Sequence, residues 1–301
     1  MRPLLYILAF GSSVWAASRT SPPAGAKVVR PSGAAAGEFT SINAALQSLT
    51  GTAPASIFIF PGTYNEQVVI TRASVTIYGS TTECVLHDPS ATVRATSGAK
   101  GLRLYNLNIA NTFGQGRQAV ALSAKGTQQG FYGLQLTGFQ DTLFADGGGF
   151  QYYSNCFIEG AVDYIFGSAS AWFGECTLAS NGGGAITANS RDSTTDPTYY
   201  VFDHSTVTSG TSTSLVSKVF LSRPWRMFAR VVFQNSVLPN LINPAGYTTL
   251  AAGATPIFSE FNNTGAGANT SARVMYTPIS AAITHEQVLG ADYRTWIDSS
   301  F

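Results

Sequence analysis

Six short segments of this chain repeat one another, and their spacing restricts the fold more than any other feature does. The units Leu104–Ile109, Phe131–Leu136, Tyr153–Ile158, Phe173–Leu178, Phe202–Val207 and Phe233–Leu238 each open on a large apolar residue and close five positions later on Ile, Leu or Val. Their starts lie 27, 22, 20, 29 and 31 residues apart. Apolar residues tend to alternate within each unit, the period of a strand with one buried face. A constant short strand with connections of varied length is what a solenoid leaves in a sequence. Long amphipathic helical patterns are absent from this region, which argues against leucine-rich and doubly wound folds. The expected fold is all-β, a parallel β-helix; a propeller or a β-sandwich is the competing all-β arrangement. Further strands are expected at Ser56–Phe60, Val68–Ile70 and Val75–Tyr78. The stretch Ser41–Leu49 reads as an amphipathic helix capping the N-terminal end, with Ser41 as its N-cap. From about Gly253 the periodicity weakens, so loops and a short helix are expected to wrap the solenoid there.

Composition narrows the setting. Of 301 residues 45% are hydrophobic and 11% charged, with a formal net charge of +1. The first residues read as a secretory leader over 1–16, with Arg2, the apolar run Leu4–Phe10 and the small-residue site Val14-Trp15-Ala16. That leaves 17–301 as a single catalytic domain. Removing Arg2 leaves 16 basic against 16 acidic residues, with no basic patch of the kind nucleic acid requires. No later stretch approaches the ~18 apolar residues of a membrane span. The chain is therefore expected to be exported and to act as a monomer, without nucleic-acid or membrane partners. Two sequons, at Asn262 and Asn269, fit a eukaryotic secretory route and glycosylation.

The repeat also interprets the cysteines. Cys156 and Cys176 hold the same position in consecutive units. Stacked strands lie about 4.8 Å apart, close to the Cα separation a disulfide accepts. A Cys156–Cys176 disulfide is the expectation; two buried thiols in a core ladder are the alternative. Cys84 has no partner by this argument.

The same register brings chemistry into view. Asp141 lies five residues after Leu136, and Asp163 five after Ile158, the closing residues of adjacent units. Equal offsets should set the two carboxylates side by side, on the order of 5 Å apart, among Phe139, Leu143, Tyr164, Ile165 and Phe166. Two close carboxylates in an apolar groove cannot both ionise cheaply, so one becomes a proton donor and the other an anion. A polar Asp ladder serving only the turns is the structural alternative. Other chemistries have less support. There is no G-x-S-x-G elbow, and only His87, His204 and His285 could serve a serine triad. His204 lies inside a repeat unit, as a structural residue would. Neither a zinc spacing nor a phosphate loop occurs, so no metal and no cofactor is expected.

Five blocks carry a specific resemblance: Gly62-Thr63-Tyr64-Asn65-Glu66, Gln118–Leu122, Gly138-Phe139-Gln140-Asp141-Thr142-Leu143, Asp163-Tyr164-Ile165-Phe166-Gly167 and Leu221-Ser222-Arg223-Pro224-Trp225. In this order they resemble the signature segments of the pectin methylesterases, family 8 of the carbohydrate esterases. The likeness runs from about Ser18 to the C-terminus, and Tyr105–Thr112 is similar to the fungal branch. The resemblance implies a right-handed parallel β-helix that hydrolyses galacturonate methyl esters in pectin, releasing methanol and pectate. It implies Asp163 as nucleophile and Asp141 as general acid and then base. It gives Gln118 and Gln140 as oxyanion donors, Arg223 as the residue holding Asp163 ionised and oriented, and Trp225 and Phe166 as cleft aromatics, with core packing the alternative for Phe166. Gln118 and Arg223 count as substrate contacts too. Two departures stand out. The segment Ser80–Ser90 is short, with His87 and Asp88 near where the family carries a substrate-contacting Thr. Ser222 replaces a Gly, a strain if that position needs positive φ. The rival functions are a pectin lyase or polygalacturonase-like β-helix enzyme and a non-catalytic polysaccharide-binding β-helix. The complete set of two Asp, two Gln and one Arg argues against a mere binder.

Overall fold

The repeat sets the architecture. The computed structural model describes residues 19–80, 84–87 and 91–301, the 84–87 strand through its backbone. The expected leader lies outside the described residues, as do the side chains of Cys84 and His87 and the residue Asp88. Three parallel sheets run along the molecule. The first has ten strands, from Lys27–Val29 to Ile257–Phe261. The second has seven, from Gly62–Tyr64 to Thr206–Ser209, and the third has seven, from Val68–Ile70 to Val219–Pro224. This is a parallel β-helix; the sheet pairings are parallel throughout, where a propeller or a hairpin-built sandwich would be antiparallel.

The six repeat units fall on one register. Leu104, Phe131, Tyr153, Phe173, Phe202 and Phe233 face one another across successive strands of the first sheet. Inside the coil their rings stack at 4.6, 4.6, 4.5 and 4.5 Å from Phe131 to Phe233. That spacing is the strand spacing itself, so each ring meets the next at van der Waals contact without distorting the backbone. The closing residues Ile109, Leu136, Ile158, Leu178 and Val207 form a second inner column.

The third position of every unit makes the corner between the first and second sheets. Asn106, Gly133, Asn155, Glu175, His204 and Asn235 have φ of 53°, 59°, 53°, 54°, 49° and 50°. One left-handed residue turns the chain sharply while its N–H still reaches the next coil, as in Asn155 N to Gly174 O at 3.0 Å and Asn235 N to Phe261 O at 2.9 Å. Asn and Gly tolerate this conformation best. Asn or Gly holds four of these six corners, a pattern the repeat reading did not single out.

The expected Cys156–Cys176 disulfide is not formed. Both are free thiols, buried, and each Sγ donates to main-chain carbonyls, Cys156 to Phe131 O and Ser154 O at 3.4 Å each. In-register parallel strands explain the error. Equivalent Cβ vectors there point the same way and stay a full strand spacing of about 4.8 Å apart, beyond the 3.5–4.5 Å a disulfide needs.

Both ends are closed. Helix α1 (Ile42–Gln47) covers the N-terminal coils, with the Ser41 hydroxyl accepting from Ala44 N at 3.1 Å as its N-cap. At the far end Arg273 forks onto Glu260 at 2.6 and 3.0 Å, both side chains buried. The C-terminal segment then returns along the outside of the first sheet. Helix α2 (His285–Leu289) lies on the strands Phe150–Ser154 and Ser170–Gly174. It builds a second, outer core of Tyr105, Tyr132, Tyr152, Trp172, Val288 and Trp296. Among the described residues no helix is long and apolar enough to cross a membrane. Replacing Asn155 with Ala at its left-handed corner should lower unfolding free energy by about 1 kcal/mol, read as a lower denaturant midpoint at unchanged slope. An unaltered midpoint would mean that the corner imposes no conformational demand.

Candidate active site

Register on the third sheet places the two aspartates. The strands Leu143–Ala145 and Ile165–Gly167 pair with Leu143 opposite Ile165, and Gln140 bridges to Val162. Asp141 and Asp163 therefore stand opposite one another on adjacent coils, as their equal offsets predicted. Both occupy left-handed corners, with φ of 65° and 49°. Each is tied to the next coil by its own N–H, Asp141 to Val162 O at 3.1 Å and Asp163 to Ala185 O at 2.7 Å. Both are buried there, at 3% and 8% exposure, and Asp163 is gripped by Arg223, which a polar ladder serving only the turns does not require.

That grip is bidentate. Arg223 Nε and Nη2 donate to Asp163 Oδ1 and Oδ2 at 2.7 Å each, and bonding to the carboxylate raises the guanidinium pKa further. Parallel charge-assisted bonds fix both the position and the plane of the carboxylate. Asp141 has no such cation in contact. Burial first, then the neighbouring Asp163 charge, pushes its pKa up to about 7, against the lowering effects of a Gln118 hydrogen bond and of Arg223. One carboxylate is thus paired in plane with arginine, while the other can hold a proton near neutral pH.

Arg223 reaches Asp163 from two strands away. Between them lies Gly184–Asn189, where Ala188 is the register partner of both Phe166 and Arg223. Neighbouring strands carry Phe144 and Phe166 in this outward row, stacked at 4.5 Å. A side chain of that size at position 188 would stand in the path of the guanidinium. Ala188 is 2% exposed, although it points away from the core. This spacer was not recognised from the sequence; its signal was an alanine interrupting an aromatic row.

The other expected residues converge unequally. Phe166 is 7% exposed, lies outside the inner core cluster, stacks on Phe144 and meets Trp225 at 5.8 Å between ring centroids. Trp225 is 36% exposed. Gln118 is exposed on the preceding loop and donates to Asp141, whereas Gln140, the residue before Asp141, is part-buried. Ser222 causes no strain. Its φ is not positive, and the residue is buried within the strand with Oγ 3.4 Å from Thr187 O. Two more residues escaped sequence reasoning. Asn189 O accepts from Trp225 N at 3.1 Å, and buried Arg191 donates to Thr194, Asp196 and Phe228 carbonyls at 2.6–2.9 Å. Together they brace the loop that presents Trp225. No group of three potential metal ligands occurs among the described residues.

Comparison with known proteins follows this geometry. The sequence model of the pectinesterase family matches residues 28–300. Pectinesterase A of Emericella nidulans is 46% identical over 94% of this chain and 92% of its own length. The probable pectinesterase A of Aspergillus niger is 47% identical over 94% and 91%. The crystal structure of a pectin methylesterase from Aspergillus niger in deglycosylated form aligns with a TM-score of 0.89 at 45% identity, covering 94% of this chain and 100% of that one. The pectin methylesterase from carrot aligns at 0.84 with 26% identity, covering 93% and 97%.

The spacer can be tested directly. Ala188→Leu should displace Arg223 from Asp163 and cut kcat by more than about tenfold, with the far-ultraviolet spectrum unchanged. Activity within twofold of wild type would show that Arg223 needs no open path.

Proposed function

The chain belongs to the pectinesterase family, and we propose that its chemistry runs on Asp163 and Asp141. It hydrolyses methyl esters of galacturonate in pectin, releasing methanol and leaving pectate. The observation that carries the assignment of roles is the asymmetry of the pair. Asp163 is held in plane by two 2.7 Å bonds from Arg223, while Asp141 holds a proton up to about pH 7.

On this reading an Asp163 oxygen attacks the ester carbonyl carbon, and the carbonyl electrons move onto oxygen. Amide N–H groups of Gln118 and Gln140 receive that oxyanion. As the tetrahedral intermediate collapses, the bond to the methoxy oxygen breaks and Asp141 gives its proton to departing methanol. An acyl-enzyme remains on Asp163. Asp141, now a carboxylate, takes a proton from water as the water oxygen attacks the acyl carbon. Collapse releases the galacturonate carboxyl and returns Asp163 as an anion with Asp141 protonated. Phe166 and Trp225 are the walls on which sugar faces rest. Arg223 orients Asp163, because the esterified carboxyl offers no anion to bind before reaction.

Export supports the same reading, since pectin lies outside cells; its sequence basis is the leader over 1–16. The exposed Asn269 is the more open sequon, as Asn262 Nδ2 already donates to Asn235 Oδ1 at 3.0 Å. The domain is a monomeric enzyme with pectin as its partner. Methylated pectin incubated with the protein should yield methanol without chain shortening, which separates an esterase from a lyase or a polygalacturonase.

Asp163→Asn should fold normally and lose several powers of ten in turnover; retention of more than about a tenth of the activity would remove Asp163 from the nucleophile's role. The alkaline limb of kcat/KM should follow the Asp141 proton, falling above a pH of about 7. Because the Gln118 bond lowers that pKa, Gln118→Ala should move the limb to higher pH while reducing the rate. A limb that stays in place would separate Gln118 from Asp141.

A further inference from the structure

A polar cavity lies away from the third sheet that carries the aspartates. It opens where α2 crosses the outer face of the first sheet, and its volume is about 110 Å³. That is room for roughly four waters at about 30 Å³ each, or for one edge of a sugar ring. Tyr152, Trp172, Gly174, Glu175, Asp203 and His285 are among the residues that line it.

Its chemistry is unusual for a structural gap. Trp172 is 2% exposed, yet its indole Nε1–H finds no acceptor among the described residues. The N–H edge faces the missing side chain of Gly174, where a Cβ would sit 3.3 Å from Nε1 and 3.8 Å from the Tyr152 hydroxyl. The glycine thus leaves open the spot on which the indole N–H and a hydroxyl converge. The indole is fixed from behind, because the His285 ring stacks on it at 3.8 Å. Glu175 and Asp203 are the two acidic residues of the lining. Asp203 is spoken for by Gln234, Asn235 and His204 at 3.1, 2.9 and 2.9 Å. Glu175 carries no ion pair among the described residues. It is also the one corner of the six that is neither Asn, Gly nor His, although its φ is 54°. A residue kept in a conformation it disfavours points to a demand on its side chain.

Elimination identifies the ligand class. An anion, galacturonate included, is repelled by two carboxylates. A metal ion lacks a third side-chain ligand among the described residues, and an ammonium has no lone pair for the Trp172 N–H. An apolar group would leave the Trp172 N–H and the Glu175 carboxylate without partners. A hydroxyl both donates and accepts, so adjacent hydroxyls can accept from Trp172 and donate to Glu175. We propose that this cavity binds the hydroxyl-bearing edge of a neutral sugar, as a site separate from the catalytic cleft.

Indole N–H resonances of ¹⁵N-labelled protein test this, with the Trp172 peak assigned through Trp172→Phe. L-Arabinose or D-galactose at millimolar concentration should move the Trp172 peak saturably, and galacturonate should not. Gly174→Ala places a methyl group on the spot at ordinary strand backbone. It should abolish the shift, leaving the other indole peaks and methanol release from pectin unchanged. Glu175→Gln, which keeps the shape and removes the charge, should weaken the neutral sugar and remove the discrimination against galacturonate. No movement with either neutral sugar, a shift that survives Gly174→Ala, or an equal response to galacturonate would overturn the proposal. None of these outcomes depends on the roles of Asp141 and Asp163, which methanol release reports separately.

Discussion

The structure depends on one spacing, the distance between hydrogen-bonded parallel strands. Because coils stack in register, a residue repeated at one position becomes a column, and every column inherits that spacing. Inside, it brings aromatic rings to 4.5–4.6 Å, as in the run Phe131, Tyr153, Phe173, Phe202 and Phe233. Outside, it brings Asp141 beside Asp163. The operation that fills the core also assembles the site, so no separate device is needed to hold two carboxylates together. Their repulsion is borne by a backbone that hydrogen bonds fix on both sides, through Val162 and Ala185.

Placing like charges together is unfavourable, and the protein resolves it by making the two environments differ. Arg223 satisfies Asp163 with two short bonds, whereas Asp141 receives one amide bond and is left in an apolar surround. The asymmetry originates in the coil that Arg223 comes from. Lying two strands beyond Asp163, it reaches back over Ala188 to the nearer aspartate, and bonds the farther one not at all. Helical stacking thus gives an order along the axis, from the guanidinium to the carboxyl it pairs with and then to the carboxyl it leaves unpaired. A symmetric arrangement of donors would leave the two carboxylates equivalent and deprive the site of a defined proton.

Much of this was legible in the sequence because a solenoid turns sequence offsets into distances. The repeat units, the Asp offsets and the N-cap at Ser41 all rest on local spacing, and all hold. What escaped depends on direction rather than position. The disulfide failed because equal offsets make Cys156 and Cys176 neighbours, yet parallel Cβ vectors keep their sulfurs from the geometry of a bond. The strain expected at Ser222 failed because its φ is that of an ordinary strand. Ala188, Asn189 and Arg191 were invisible for another reason. They act by leaving space or by bonding carbonyls, and neither role requires a residue type that a motif would flag. The outer core against α2 was equally hidden, since Trp172 and Tyr152 alternate with the inner column and read simply as strand residues.

The identity of the two paired acids follows from the same backbone. Both stand where the chain leaves one sheet for the next, at φ of 65° and 49°. Few residues other than glycine accept that region, and aspartate is among the more tolerant because its short polar side chain can hydrogen-bond locally. Glutamate would add a methylene and another rotor to be frozen at each site. It would also set the carboxylate farther from the corner, so that the backbone would no longer fix its distance to the opposing coil. The left-handed corners that serve structure elsewhere, with Asn106, Asn155 and Asn235, here place two short acids rigidly at the rim of a cleft. A β-helix can therefore acquire a carboxylate pair by changing corner residues alone, and the burial and the arginine then decide which of them keeps the proton.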